Sequence, residues 1–112
     1  MLKIDGNNKI TLTRGDTLTL TLELTGTDGN PYEPEEGDSL RFAISTGYLG
    51  GPAYELKYET EIPMDTLTFT MLATKTKELD YKEYNYDIEL THQDGVVDTI
   101  ISSTIKITGE VK

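Results

Sequence analysis

The sequence predicts an all-β fold in which two sheets pack face to face, and three observations predict it. Apolar and polar residues alternate with a period of two through most of the chain, and on a strand this puts one kind on each face. The chain holds eighteen threonines, and β-branched side chains pack well on a half-exposed pleated surface. Clusters of Gly, Asn, Asp and Pro fall between the alternating runs, where chain reversals favour them. A sheet that is apolar on one face must cover it, and a second sheet of the same kind does so. The expected architecture is therefore an immunoglobulin-like antiparallel β-sandwich of about seven or eight strands, forming a single domain over residues 1–112.

The elements follow in order. "KITL" sets Ile10 and Leu12 on one face. "TLTLTLELT" sets Leu18, Leu20, Leu22 and Leu24 against an opposite face of threonines and Glu23. "SLRFAIS" repeats the pattern with Leu40, Phe42 and Ile44, and "TLTFTM" with Leu67, Phe69 and Met71. "YNYDIEL" aligns Tyr84, Tyr86, Ile88 and Leu90, and "TIISSTIKI" aligns Ile101, Ile105 and Ile107 around Ser103. "AYELKYE" is the weakest strand, with Tyr54, Leu56 and Tyr58 expected on one side. Asp28-Gly29-Asn30-Pro31 and Asp94-Gly95 read as hairpin connections. The "NPYEPEEGD" loop, with its two prolines, is excluded from a central strand, and "STGYLGGPAYE" reads as a second, flexible loop. One helical turn near "TKTKELD" is expected to cross between the sheets.

Composition narrows the function. Twenty acidic residues against ten basic ones give a formal charge of −10, which repels phosphate backbones and anionic lipid surfaces. No nucleic-acid or membrane partner is expected. The chain has no cysteine, so thiolate chemistry and cysteine-based zinc sites are excluded. The opening "MLKIDGNNKITL" lacks the apolar core of a signal peptide, and no apolar run is long enough to cross a membrane.

Arg14-Gly15-Asp16 spells a cell-adhesion signal, but it lies between two strand-like runs. Gly15 supplies a bend or bulge, and Asp16 stabilises it through neighbouring backbone. The tripeptide is read as a structural turn. At the same place a family resemblance emerges. "KITLTRGDTLTLTLELTGTDGNPY" followed by "DSLRFAIS" resembles the opening of small prophage-encoded proteins of Gram-positive bacteria, and is similar to the amino-terminal module of phage baseplate upper proteins. "LDYKEYNYDIEL" and "DGVVDTIISSTIKITGEV" resemble the last strands of that family. The resemblance covers nearly the whole chain. It implies a sandwich used in virion assembly, present in the bacterial host cytoplasm and then in the particle, with other virion proteins or further copies of itself as partners. Baseplate upper proteins continue into receptor-binding segments, whereas this sequence ends at Lys112, so a stand-alone structural or accessory role is expected. The alternative is a bacterial surface-type domain for adhesion or carbohydrate binding.

No catalytic constellation stands out. His92 is the single histidine, it lies beside a turn, and no Gly-x-Ser-x-Gly elbow accompanies it. It reads as an exposed turn residue. Glu33, Glu35, Glu36 and Asp38, with Asp28, form an acidic loop without the spacing of a calcium-binding hand, and a solvated loop is expected. No enzyme activity, metal or cofactor is expected. Tyr84 resembles the residue of a tyrosine corner, whose hydroxyl bonds upstream backbone. The segment from Tyr48 through Tyr54 and Lys57 to Tyr58 is expected at a sheet edge, as an interaction surface with tyrosine anchors and Lys57 as a guard against unwanted pairing.

Overall fold

The alternation in residues 84–90 becomes a buried stripe: Tyr84, Tyr86, Ile88 and Leu90 all lie in the core. A computed structural model of the chain describes residues 2–4 (backbone only), 8–24, 29–47 and 51–109. Within them are strands β1 (Leu2–Ile4), β2 (Ile10–Thr13), β3 (Leu18–Thr21), β4 (Ser39–Thr46), β5 (Glu55–Ile62) and β6 (Thr68–Met71). A short helix α1 (Ala73–Thr76) then leads to β7 (Glu83–Thr91) and β8 (Val97–Thr108).

The large sheet has the order β1-β2-β8-β7-β4-β5, and β3 pairs with β6 in a second sheet. The fold is an all-β sandwich. Leu40, Phe42 and Ile44 of the large sheet pack with Leu18, Leu20, Phe69 and Met71 of the small one. Phe42 bridges the two layers, its ring centroid 4.5 Å from that of Phe69 and 5.7 Å from that of Tyr86. On the outer face of the small sheet, cross-strand threonines pair through their hydroxyls, Thr19 with Thr70 at 3.2 Å and Thr21 with Thr68 at 2.8 Å.

Three features depart from the sequence reading. One pair of strands, β2 with β8, is parallel. Asp28 lies outside the described residues, and among those described the turn around Gly29 joins no two strands of either sheet. The chain does reverse there, with the Tyr32 N–H returning to the Leu24 carbonyl at 2.9 Å, but β3 then pairs with β6 and β4 with β5 and β7. Finally, β1 adds a strand not read from the sequence. The Asp94-Gly95 hairpin does join β7 to β8, with Gly95 at φ +89°. The helical turn does cross between sheets, since β6 lies in one and β7 in the other.

Candidate functional site

The Arg14-Gly15-Asp16 bend is tied down from both sides. Gly15 holds φ +88°, a conformation that costs an L-residue with a side chain about 1–2 kcal/mol. The Asp16 N–H closes the turn on the Thr13 carbonyl, and the Arg14 N–H bonds the Thr108 carbonyl, both at 3.0 Å. The Arg14 side chain reaches the exit of α1, where Nε donates to the Leu79 carbonyl at 2.9 Å and Nη2 to the Lys77 carbonyl at 2.6 Å. The guanidinium also lies 5.3 Å from the Tyr81 ring centroid. Beneath the bend, the buried Thr76 hydroxyl accepts the Gly15 N–H at 3.1 Å. The same oxygen lies 2.8 Å from the Asp16 carbonyl and 3.0 Å from that of Ala73, either of which takes its proton. Adhesion through this tripeptide would need a free guanidinium, and here it is engaged by backbone carbonyls.

Tyr84 is buried, and its hydroxyl accepts the N–H of Asp80, four residues upstream, at 2.8 Å. This is the geometry of a tyrosine corner.

His92 is not an exposed turn residue. Its side chain is 25% exposed and bridges two carboxylates, with Nδ1 3.2 Å from Asp38 Oδ1 and Nε2 3.0 Å from Asp98 Oδ2. Asp38 departs from the solvated acidic loop too, its side chain being 1% exposed. Its Oδ2 accepts the Tyr32 hydroxyl at 2.5 Å and the Glu35 N–H at 2.9 Å. Glu33, Glu35 and Glu36 are exposed as expected, and Asp28 lies outside the described residues. The pKa shifts follow from these bonds. The Asp98 carboxylate, and then Asp38, hold the His92 imidazolium above its usual range. The Tyr32 hydroxyl, and then the Glu35 N–H, lower Asp38. Tyr32, donating to that carboxylate, is pushed up to about 12. The cluster joins the loop before β4 to the β7–β8 hairpin. Only the pairing of strands far apart in sequence brings Tyr32, Asp38, His92 and Asp98 together, which is why spacing did not reveal it.

The expected interaction surface is only partly assembled. β5 is the last strand of the large sheet and pairs only with β4 among the described residues. A β-bulge interrupts that pairing, with Ile44 opposite Tyr58 and Ser45 opposite Leu56. Lys57 is the extra residue, so Leu56 and Tyr58 fall on opposite faces. Tyr58 packs on the core against Phe42, at 6.3 Å between ring centroids, while Leu56 is exposed. This corrects the reading of Tyr54, Leu56 and Tyr58 as one stripe. Lys57 pairs with Glu55 at 3.0 Å, and Glu55, Lys57, Glu59 and Glu61 give the edge a charged rim. Tyr54 is half-buried, with its N–H on the Gly51 carbonyl at 3.3 Å. Tyr48 lies outside the described residues. The loop is closed at Gly47, at φ +70°, where a Cβ would come within 2.8 Å of the Ala53 backbone; Asn85 Nδ2 holds the Gly47 carbonyl at 2.8 Å.

On the outer face of the large sheet, Arg41 gathers carboxylates from two neighbouring strands, Glu59 at 2.6 Å, Glu89 at 3.3 Å and Asp87 at 3.9 Å. Desolvation, reinforced by Glu89, raises the Asp87 pKa. Among the described residues no group of His, Asp and Glu is arranged to hold a metal ion, and no helix is long and apolar enough to cross a membrane.

The class these features define is an all-β sandwich whose polar networks hold its chain reversals. No protein-family model matches the chain, and no curated protein matches it in sequence.

Proposed function

We propose that this chain is a non-catalytic structural or protein-interaction module of a phage or prophage particle, of tail or baseplate type, built on an immunoglobulin-like sandwich. The observation that carries the reading is where apolar side chains reach solvent. Leu56 is exposed on the edge strand β5, and Val96, Val97 and Ile100 are exposed around the start of β8, ahead of the stretch that β2 covers, so a neighbour can dock at either place. The polar clusters support the non-catalytic part. Both His92 ring nitrogens face carboxylates, which leaves neither to activate a hydroxyl. The family resemblance of the Arg14-Gly15-Asp16 bend and the strands around it supplies the particle.

The test is to express a tagged chain in its host during induction and purify particles by density gradient. The chain should co-sediment with them, and Tyr54→Ala with Leu56→Ser should reduce its incorporation. A chain found only in the soluble fraction, in cells making intact particles, ends the proposal.

A further inference from the structure

The large sheet ends at β1 and β5, and an inner strand, β8, is also open along part of its length among the described residues. β5 carries Glu55, Lys57, Glu59 and Glu61, the charged rim that discourages strand addition. β8 is unguarded over its first half. It pairs with β7 along its length, but β2 pairs only with Ile105, Lys106, Ile107 and Thr108. Residues 97–102, on the side away from β7, pair with no strand among the described residues, and Asp98 is their single charge. Val97 and Ile100 are exposed there, and Ile100 is the extra residue of a second bulge. Beside this edge, between the layers, runs a groove of about 350 Å³. It is lined by Asn8 and Ile10 at the start of β2, by Leu20 and residues 21–24, by Tyr86 and Ile88 on β7, and by Ile100 and Ile101 on β8. Asn8 and Lys9 precede Ile10, with the Asn8 carbonyl accepting the Tyr86 hydroxyl, and the groove runs beside residues 97–102 beyond them. A strand placed there would bond the free edge of β8 and turn alternate side chains into the groove.

From this geometry we infer that residues 97–102 and the groove beneath them form an acceptor site for an extended segment of a partner protein, with apolar residues at alternate positions and a lysine or arginine at its margin. The inference deepens the interaction reading above and rests on it for the existence of a protein partner. Main-chain bonds to an open edge give such a site its affinity, and pockets for alternate side chains give specificity. The length suits a strand, since six residues span about 20 Å. Charge selects the occupant. Among the described residues Glu23 is the one charged side chain lining the groove, and the chain carries −10 overall. A second copy offering its own β8 edge would bring no cation, because residues 97–104 contain none, and it would bring a like net charge. A basic segment meets neither penalty.

The probe is an eight-residue synthetic peptide, blocked at both ends, with valine and threonine alternating between lysines. Amide hydrogen exchange in the intact protein should show slowed exchange at residues 97–102 and none at residues 55–62. The same peptide N-methylated at alternate amides should have no effect. Glu23→Lys, an exposed change, should weaken binding about tenfold, of the order expected for reversing a charge at a partly desolvated contact, and improve binding of a peptide carrying glutamates instead. Ile100→Asp should abolish binding with the melting temperature retained; if it unfolds the chain, Glu23→Lys still decides. Protection at residues 55–62, or at no residue, overturns the site. Equal binding by the Glu23→Lys variant overturns the basic partner. A dimer in light scattering that protects residues 97–102 without peptide makes a second copy the occupant and overturns the proposal. Peptide binding by a chain that never enters particles would retain this site and end only the particle assignment.

Discussion

The Thr76 hydroxyl shows how much of this molecule depends on single polar groups. It is buried, it accepts the Gly15 N–H, and it sits against the Asp16 carbonyl. Thr76→Val keeps the shape but removes the acceptor of the Gly15 N–H, so urea denaturation should show a loss of about 1–3 kcal/mol, with Thr76→Ser closer to the parent. Gly15→Val should lower stability by at least about 1–2 kcal/mol, because φ +88° is unfavourable for a β-branched residue. An unchanged melting temperature would rule out that account. Asp16→Glu should leave integrin-dependent cell adhesion at background, as the parent does, because the Arg14 guanidinium is committed to the Lys77 and Leu79 carbonyls. Gly15 was legible in the sequence because a glycine between two strand-like runs marks a bend. Thr76 was not, since it is one of eighteen threonines and nothing local marks it as buried.

At the level of elements, the bulge at Lys57 decides what β5 presents. Leu56→Asp should change stability by no more than about 0.5 kcal/mol, as exposed substitutions do. Tyr58→Ala should cost about 1–3 kcal/mol, less than full burial of an aromatic would imply, because Tyr58 is half-buried against Phe42. Equal effects from the two changes would mean that the strand runs through without a bulge. Alternation alone placed both residues on one face, because a bulge is set by how β5 registers on β4 and leaves no local sequence mark. By contrast, the stripe of Tyr84, Tyr86, Ile88 and Leu90 was readable, because β7 has partners on both sides and burial follows its period throughout that stretch.

At the scale of the whole molecule, the cluster at His92 links stability to pH. The His92 pKa is raised on folding from 6.5, so its contribution is complete below that value and is lost as pH rises through the higher folded pKa. The Asp38 pKa is lowered from 3.8, so its contribution is complete above that value and is lost as pH falls through the lower folded one. Both contributions are complete between these two ordinary values. Thermal melts should show stability falling above this window, and His92→Gln should flatten that limb while leaving the acid limb in place. A parent and variant with parallel profiles would exclude the link. The charge of −10 also acts on the whole molecule. Light scattering should find a monomer at low and at physiological salt, since like-charged copies repel over a Debye length of about 8–10 Å. A dimer under both conditions would move the docking argument toward self-association.

The sequence by itself determined the class of the fold and most of the core. A period of two assigns faces without reference to any partner, and Leu18, Leu40, Phe42, Ile44, Phe69, Met71, Ile105 and Ile107 are buried as that period requires. It also determined the Gly15 bend, the Gly95 hairpin and the short helical crossing, because glycine conformation and turn chemistry act locally. Only the tertiary structure decided which strands are neighbours. It set β3 on β6 rather than β4, aligned β2 parallel to β8, closed Tyr32, Asp38, His92 and Asp98 into one network, and left residues 97–102, among the described residues, with a strand on the β7 side alone. The reason is physical: alternation fixes the face of a side chain, whereas pairing depends on contacts between segments far apart in the chain, which local pattern does not encode.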